Sequence, residues 1–160
     1  MDIKTLQSQV PQIGRVEWIG LRPAKWEDLE AVQEAVLDPE HGITGDHYSG
    51  RSGKRQVTLI QQEHLEAVSK LMGKGVDPTM TRRNIVVSGI NLAALKKGRF
   101  RIGGVLLEGT GDCHPCTRME KNLGVGGYQA MRGHGGITAR VIEGGLVQVS
   151  DPVTMKINDQ

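Results

Sequence analysis

The sequence predicts a mainly β domain with peripheral helices, in the α+β class. Several short runs are rich in β-branched and apolar residues and are bounded by turn residues, which is the pattern of strands. The chain also contains 22 glycines scattered without a period, which indicates many turns between short elements. Regular helical spacing of apolar residues is confined to a few segments. With 160 residues, the chain is expected to form one domain over residues 1–160.

The predicted strands follow one another along the chain. Pro23 bounds the first strand, and the glycine pair at 103–104 turns a hairpin. The glycine pair at 144–145 and the Asp-Pro step at 151–152 divide the last apolar stretch into two or three strands. The segments predicted as strands are RVEWIGLRP (15–23), RQVTLIQ (55–61), RRNIVVSG (82–89), FRIGGVLLEGTG (100–111) and ITARVIEGGLVQVSDPVTMKI (137–157).

Helical spacing is clearest in QQEHLEAVSKLMGKG (61–75), which carries four apolar residues on one face and is stopped by Gly73. A second helix is predicted after the cysteines, from about residue 115 to 123, with a proline in its first turn and Gly124 at its end. A short third helix is predicted at YQAMRG (128–133). The four apolar residues of the first helix are Leu65, Val68, Leu71 and Met72.

One segment, WEDLEAVQEAVLD (26–38), is ambiguous. Its apolar residues at positions 26, 29, 32 and 36 lie at helical spacing, whereas Val32, Glu34 and Val36 alternate loosely as in a strand. Periodicity alone favours a helix here.

Composition excludes several functional classes. The net charge of +2 and the presence of one Phe, two Trp and two Tyr give no basis for nucleic-acid binding. No apolar run approaches the ~20 residues that a bilayer span needs. The first residues also lack the sections of a signal peptide. We therefore expect a cytoplasmic protein with neither a nucleic-acid nor a membrane partner.

The two cysteines lie close together in GDCHPCTRMEKN (111–122). A structural zinc site normally draws four ligands from two spaced pairs, and this chain has the single pair Cys113 and Cys116. His41 and His47 are six residues apart, which is too wide for the usual second pair. The spacing therefore disfavours zinc.

Dithiol redox chemistry is a stronger alternative. A Cys-x-x-Cys at the start of a helix is the layout of thioredoxin-like active sites. A thioredoxin fold requires βαβ units around the motif, whereas mostly strands surround it here. The dithiol alternative stays open as the minority interpretation.

A third interpretation uses one sulfur, as a nucleophile, a persulfide carrier or a soft metal ligand. Cys116 is the better placed, because it falls in the first turn of the predicted helix near Arg118 and Lys121, which favours a thiolate. Cys113 falls in the preceding loop. The remaining alternative is that both cysteines are inert, small apolar residues. The polar, Gly-rich flanks argue against this alternative for Cys116 and, more weakly, for Cys113.

Three stretches, in order, resemble the MOSC domain, the family named for the C-terminal part of molybdenum cofactor sulfurase. They are GITGDHYSGRSGKRQVTLI (42–60), TRRNIVVSGINLAALKKGRFRIGGVLLEGTGDCHPCTRME (81–120) and GGITARVIEGGLVQVSDPV (135–153). The resemblance covers roughly residues 14–157 and implies a stand-alone, β-barrel-like MOSC fold with peripheral helices. It also implies that residues around 30 to 38 are strand, against the helical spacing.

The resemblance gives Cys116 the catalytic role. The hallmark cysteine of such proteins lies in a proline-Cys step before a helix, which here is Pro115-Cys116. In the family that sulfur is thought to carry a persulfide or to bind the molybdenum of the pterin cofactor, molybdopterin, and a soft thiolate suits a thiophilic metal. Cys113 has no such role: it either resolves an oxidised or persulfide form of Cys116 or fills space, and the second interpretation is favoured.

The TRRNI segment resembles the cofactor-proximal Arg-x-Asn segment of the amidoxime-reducing branch. Because a pterin phosphate is bound well by guanidinium groups and the heterocycle by amide groups, Arg82, Arg83 and Asn84 are candidate cofactor ligands. A solvated strand end is an equal alternative for either arginine. Arg118, close to the cysteine, and Arg140, a charge in an apolar strand, are weaker candidates.

Two glycine-rich stretches fail the nucleotide-binding patterns. Tyr48 stands where a phosphate loop ending at Gly53 requires a glycine. GVGGYQAMRGHGG (124–136) lacks the strand-to-helix setting of a dinucleotide fingerprint and is expected to be a mobile loop near the cysteine.

Together, these features predict a protein that binds molybdenum cofactor and reduces N-hydroxylated small molecules, with Cys116 on the metal and electrons from an external partner. One alternative is a persulfide carrier on Cys116 that is loaded by a cysteine desulfurase. Another is a non-catalytic module that binds or carries the cofactor.

Overall fold

The computed structural model describes residues 1–25, 27–47 and 53–156. The expectations that involve Trp26, Tyr48 and Ile157 lie outside these residues.

Strands make up most of the regular secondary structure that is described, and those outside residues 30–43 correspond closely to the predicted strand segments. In chain order they are β1 (Gly14–Leu21), β2 (Glu30–Val32), β3 (Glu34–Asp38), β4 (Gly42–Ile43), β5 (Val57–Gln61), β6 (Ile85–Ser88), β7 (Arg99–Ile102), β8 (Val105–Asp112), β9 (Ile137–Glu143), β10 (Gly145–Gln148) and β11 (Pro152–Met155).

Seven of these strands close into a barrel. The sheet runs in the order β11-β7-β8-β9-β5-β6-β1, and β1 pairs with β11 to complete the ring. All neighbours in the ring are antiparallel except β5 and β6, which are parallel. Parallel neighbours need a long crossover, and the chain from residue 62 to 84 provides it. The predicted mainly β, barrel-like fold with peripheral helices is confirmed.

The helices lie outside the barrel. The predicted helix over 61–75 is confirmed, and Gly73 ends it in a left-handed conformation with φ of 69°. Its predicted apolar face is too wide, because Leu71 is 64% exposed while Leu65 and Val68 are buried. The helices are α1 (Ile3–Gln7), α2 (Gln62–Met72), α3 (Pro78–Thr81), α4 (Thr117–Leu123) and α5 (Gly127–Met131), with a 3-10 helix at Leu92–Leu95. None in the described ranges is long and apolar enough to cross a bilayer.

The helix that periodicity favours over 26–38 is wrong, and the strand implied by the family resemblance is confirmed. In β3, Ala35 and Leu37 are buried, whereas Val36 is 49% exposed and pairs with Leu146 of β10. Strands β10, β3 and β4 form a separate three-stranded sheet. The helical spacing arose because apolar residues also occupy the outward face of this strand pair.

Two apolar clusters hold the fold together. The larger fills the barrel and includes Phe100, Leu59 and Ile85. The smaller lies between the barrel and its helices, where Ile60 and Val86 contact residues of α2, α4 and α5. All five residues of β5 are buried, as expected for a parallel strand covered on both faces. This second cluster fixes α4, and with it the chain that carries the cysteines, against the barrel wall.

Candidate functional site

A cavity of about 700 Å³ opens at one end of the barrel. Strand register explains its position: β1 and β8 finish at this end, and β6 begins there beside them. The residues that line it are mostly basic or sulfur-containing, and no acidic side chain is among them in the described part of the chain. They are Arg22, Ala24, Lys25, His47, Arg55, Thr58, Arg82, Arg83, Cys113, His114, Cys116, Thr117, Arg118 and Met119.

Both cysteines face this cavity, but in different settings. Cys113 follows the last residue of β8 and is buried, with its backbone N–H bonded to the Gly136 carbonyl at 2.9 Å. Cys116 is exposed and is the N-cap residue of α4, with extended φ and ψ of −124° and 179°. The sequence predicted Cys116 in the first turn of the helix, whereas in the structure it directly precedes the helix. Its side chain makes no capping hydrogen bond.

Arg83 is a buried cation in the cavity wall. Its guanidinium donates to three backbone carbonyls, those of Gly135 at 2.8 Å, Thr81 at 2.8 Å and Cys113 at 3.1 Å. Burial lowers the pKa of Arg83, and the nearby sulfur groups of Cys113 and Cys116 oppose that decrease. The three carbonyls fix the side chain, while the charge acts on the region of the two sulfurs.

Arg82 belongs to a group of cations in the same cavity, together with Arg118 and Arg22. It ends α3 in a left-handed conformation with φ of 59°, and its Nη1 donates to the Glu27 carbonyl at 2.9 Å. Burial lowers the pKa of Arg82, the neighbouring charges of Arg118 and Arg22 lower it further, and Asp28 and Asp46 partly oppose the decrease. Mutual repulsion of this kind is relieved when an anion binds between the guanidinium groups.

Arg22, another member of this group, is bonded to a carboxylate. Its Nη2 lies 2.9 Å from Asp46 Oδ2, and its backbone N–H donates to Oδ1 of the same residue at 2.8 Å. Asp46 also accepts from Asn84 Nδ2 at 3.2 Å. The carboxylate therefore holds Arg22 at the end of β1 and neutralises part of its charge.

Asn84, a sequence candidate for cofactor binding, lies behind the cavity wall. Its side chain is buried, accepts from the Thr58 N–H at 3.2 Å and donates to the Gly20 carbonyl at 3.1 Å. These bonds connect β1, β5 and the start of β6. The structure thus gives Asn84 a role in joining the strands that carry Arg22 and Arg83, and does not bring it to the cavity.

The structure does not bring Arg140 to the cavity either. It is exposed on β9, and its Nη2 lies 2.6 Å from Glu108 Oε1 on β8. The two residues are directly opposite in the β8–β9 register. Because Ala139 and Val141 point into the barrel, strand alternation turns Arg140 outward.

Sequence reasoning missed several basic residues of the site. Arg22, Lys25, Arg55 and His114 line the cavity; Arg55 and His114 lie within stretches that resemble the family but were not candidates, and Arg22 and Lys25 lie outside those stretches. The signal that was available is their position, since Arg22 follows β1 and Arg55 precedes β5 by two residues. Arg55 is notable for its contact, because its Nη2 lies 3.8 Å from the Cys113 sulfur.

The segment expected to be a mobile glycine-rich loop is a helix followed by a tightly packed turn. Residues Gly127–Met131 form α5. A Cβ atom at Gly135 would lie 2.1 Å from the Cys113 carbonyl oxygen, and one at Gly136 would lie 1.8 Å from the Leu59 carbonyl oxygen. Only glycine fits at these positions, and the close packing fixes the backbone of Cys113.

This arrangement suits an anionic ligand with a thiophilic centre. Guanidinium groups bind phosphate and similar oxyanions through paired, charge-assisted hydrogen bonds. The exposed sulfur of Cys116 offers a soft ligand in the same cavity.

Solved structures with the same fold include three bacterial proteins. YuaD from Bacillus subtilis gives a TM-score of 0.77 at 20% identity, covering 91% of this chain and 97% of YuaD. YiiM from Escherichia coli gives a TM-score of 0.70 at 20% identity, covering 91% of this chain and 71% of that protein. YiiM from Geobacillus stearothermophilus gives a TM-score of 0.73 at 14% identity, covering 90% of this chain and 75% of that protein. At these identities the similarity establishes the fold.

No curated protein matches the sequence. The profile of the MOSC domain matches residues 38–154, which is well over half of the chain and includes both cysteines and the Arg82-Arg83 pair. This match agrees with the barrel and with the order of the three stretches noted in the sequence. The chain therefore belongs to the MOSC domain family.

Proposed function

We propose that this protein binds molybdenum cofactor in the cavity and reduces N-hydroxylated small molecules, with Cys116 as a ligand of the metal. MOSC domains are associated with molybdenum cofactor binding and with sulfur or N-hydroxylated substrate chemistry. The observation that carries the proposal is the exposed Cys116 thiol in a cavity whose described lining is rich in guanidinium groups and lacks carboxylates.

The residues present fit such a cofactor. Its terminal phosphate is a dianion, and Arg82 and Arg118 lie near enough to each other for their charges to interact. Together they would bind that phosphate, and Cys116 would bind the metal through sulfur. The cavity volume of about 700 Å³ falls within the range of small-molecule and cofactor sites.

The reaction converts R–NH–OH, two electrons and two protons into R–NH₂ and water, so the N–O bond breaks and nitrogen is reduced. When bound, the cofactor supplies the two electrons to the N–O bond. The chain has only two cysteines, whereas iron–sulfur clusters usually take four, and we propose an external donor protein as the source of the electrons.

The two protons require donors near the breaking bond. His47 and His114 both line the cavity, and imidazole nitrogens transfer protons readily near neutral pH. Either ring is therefore a candidate proton donor to the departing hydroxyl. Arg83, fixed by three carbonyls, holds positive charge near the sulfur that binds the metal.

A persulfide carrier is the second candidate, and the exposure of Cys116 favours it, because a partner's active-site sulfur can reach this thiol. A cysteine desulfurase persulfide, E–S–SH, would react with the Cys116 thiol to give E–SH and the Cys116 persulfide. The sulfur would then pass to a metal or a biosynthetic acceptor. In this candidate the cavity cations stabilise the anionic persulfide.

The deciding experiment is intact-mass and metal analysis of protein purified gently from a host that makes the cofactor. One molybdenum and one pterin per chain, together with turnover of an N-hydroxylated substrate by a reduced donor, is the expected result. An extra 32 Da on Cys116 without molybdenum would establish the persulfide carrier instead, because about 32 Da is the mass of one sulfur atom. Bound cofactor without turnover would establish the non-catalytic module.

A further inference from the structure

We infer that the sulfur-containing end of the cavity binds an anionic group of the substrate, a carboxylate or a phosphate, and that Arg55 is the residue that selects it. The identity of the reacting group rests on the proposed function, whereas the anion site rests on the geometry of Arg55, Arg83 and the two cysteines. Cys113 acts here as a positioning residue for Arg55.

Arg55 has hydrogen-bonding capacity to spare. Its Nη2 lies 3.8 Å from the Cys113 sulfur, and a guanidinium carries five N–H donors. Its side chain lines the cavity and forms no ion pair with a carboxylate of the described residues. A cation in that position is a ready contact for an oxyanion that enters beside Cys116.

The cavity contains more positive charge than one phosphate requires. Arg82, Arg118 and Arg22 form one group, whose charges repel one another. Arg83 and Arg55 form the other: their charges interact, Arg83 lies near both sulfurs, and Arg55 contacts the sulfur of Cys113. One phosphate accounts for the first group. The second group lies beside the cysteine at which the reaction is proposed to occur, and it contains no carboxylate in the described structure.

Within the second group, Arg83 and Arg55 have different roles. Three of the five N–H donors of Arg83 are used by backbone carbonyls, so this residue mainly supplies charge. Arg55 is exposed and supplies the free donors. Its backbone is held next to the cavity because Thr110 on β8 donates a hydrogen bond to the carbonyl of Lys54.

Cys113 gains a role from this arrangement. Its sulfur is buried against the cavity wall and accepts from Arg55, which biases the guanidinium toward the cavity. A serine at this position would keep a hydrogen-bond acceptor, whereas an alanine would not. The preferred substrate is therefore an N-hydroxylated compound with a carboxylate or phosphate close to the N–O bond.

Alkylation of Cys116 tests the anion site without any turnover. Iodoacetate and iodoacetamide differ in charge and share the same leaving group, so the ratio of their rates reports attraction of an anion to this sulfur. Full-length protein from a host without the cofactor is alkylated, and the modified peptide is quantified by mass spectrometry. In Arg55→Gln the iodoacetate-to-iodoacetamide ratio should fall by about tenfold, the effect of one charge-assisted contact.

The matched control is Arg101→Gln, an arginine that pairs with Glu143 at 3.3 Å and does not line the cavity. Its rate ratio should equal that of the wild type. Cys113→Ala should lower the ratio by a smaller factor than Arg55→Gln, and Cys113→Ser should preserve most of it. An Arg55→Gln ratio equal to that of the control would overturn the inference.

Protection distinguishes the two sources of the anion. Inorganic phosphate and acetate are titrated against iodoacetamide alkylation of Cys116. The anion that slows alkylation of the wild type but not of Arg55→Gln identifies the group the site prefers. The inference is contradicted if neither anion slows alkylation of Cys116, or if an anion slows it equally in the wild type and in Arg55→Gln.

Turnover by the cofactor-loaded protein then tests the substrate class. Paired N-hydroxylated substrates with and without a carboxylate are compared, and Arg55→Gln should raise KM for the anionic member about tenfold while leaving the neutral member and the cofactor content unchanged. Loss of cofactor from Arg55→Gln would make Arg55 a cofactor anchor and overturn the inference. Absence of turnover in the loaded wild type would refute the proposed function alone, because the alkylation ratio still decides the anion site.

Discussion

The arginines in the cavity and those on the outside of the barrel differ in what neutralises them. On the outer face, Arg99 and Arg140 both pair with Glu108, at 3.3 Å and 2.6 Å. In the cavity, Arg82 and Arg83 donate to backbone carbonyls and form no ion pair with a carboxylate of the described residues. The same residue type thus serves two purposes within one small domain.

The difference indicates which charges belong to a ligand. An exposed pair such as Arg140–Glu108 is solvated and contributes little to stability, typically below about 1 kcal/mol. A buried guanidinium without a carboxylate is costly to fold and is retained where an anion completes the site. Arg83 is held by the three carbonyls that it bonds, and the nearby sulfurs oppose the effect of burial on its pKa.

The largest predicted effect concerns the sulfur around which the cavity arginines are arranged. Cys116→Ser should reduce N-hydroxyl reductase activity by more than about a thousandfold, because loss of even an outer partner of a metal ligand costs ten- to a hundredfold. Cys113→Ser should retain most of the activity, since its hydroxyl still accepts from Arg55. Equal loss in both variants, with a reversible disulfide between these two residues, would support dithiol chemistry instead.

The second prediction compares how much a buried and an exposed arginine contribute to the free energy of unfolding. Arg83→Met leaves three backbone carbonyls without their donor and should lower the free energy of unfolding by about 3 kcal/mol, at roughly 1 kcal/mol for each lost bond. Arg140→Met removes only an exposed pair and should change it by less than about 1 kcal/mol. Urea unfolding monitored by tryptophan fluorescence measures both. If the two variants unfold alike, the distinction between the two kinds of arginine is wrong.

This contrast also shows what the sequence was able to predict. β-branched runs and glycine or proline boundaries located the barrel strands, because each strand packs an apolar inner face on one core. The error at 26–38 arose where Val36 and Leu146 pair on an outward face, so that apolar residues did not mark the inside. The sequence therefore predicted which segments form the barrel strands, but in residues 26–38 it did not predict which side chains face the core.

The site was predictable only where a local motif carries it. Cys116 and Arg82 follow from short stretches that resemble the family, and both line the cavity. Arg22 and Arg55 come from segments distant in sequence, and only strand register brings them there. Arg140 does not line the cavity, because strand alternation along β9, with Ala139 and Val141 inside, turns it outward.

The third prediction concerns retention of the cofactor. Arg82→Ala should weaken cofactor retention by about ten- to a hundredfold, because a charge-assisted contact contributes about 1.5–3 kcal/mol. Arg99→Ala, on the outer face, is the matched control and should retain cofactor normally. Molybdenum content after dialysis against increasing salt measures the difference. Indistinguishable retention in the two variants would place the phosphate elsewhere in the cavity.

The smallest effect concerns a histidine pair behind the cavity wall. The rings of His64 and His134 lie edge to face with centroids 5.2 Å apart. His134 Nδ1 donates to the Ala130 carbonyl at 3.0 Å, and the residue directly precedes Gly135, whose carbonyl accepts from Arg83. Protonation of His64 therefore occurs beside His134, next to the turn that holds the buried arginine.

Burial lowers the pKa of His64, the nearby His134 lowers it further, and Glu63 partly opposes both. The unfolded chain, in which a histidine has its ordinary pKa of about 6.5, then binds more protons than the folded protein just below that pH. The free energy of unfolding should consequently fall as the pH drops from about 6.5 through the lower folded pKa, by less than about 1 kcal/mol because the half-exposed pair is screened by solvent. His64→Gln should flatten this slope, and His134→Gln should flatten it in part. Urea midpoints measured between pH 5 and 8 test the effect, and an unchanged slope in His64→Gln would show that the pH dependence of stability arises elsewhere.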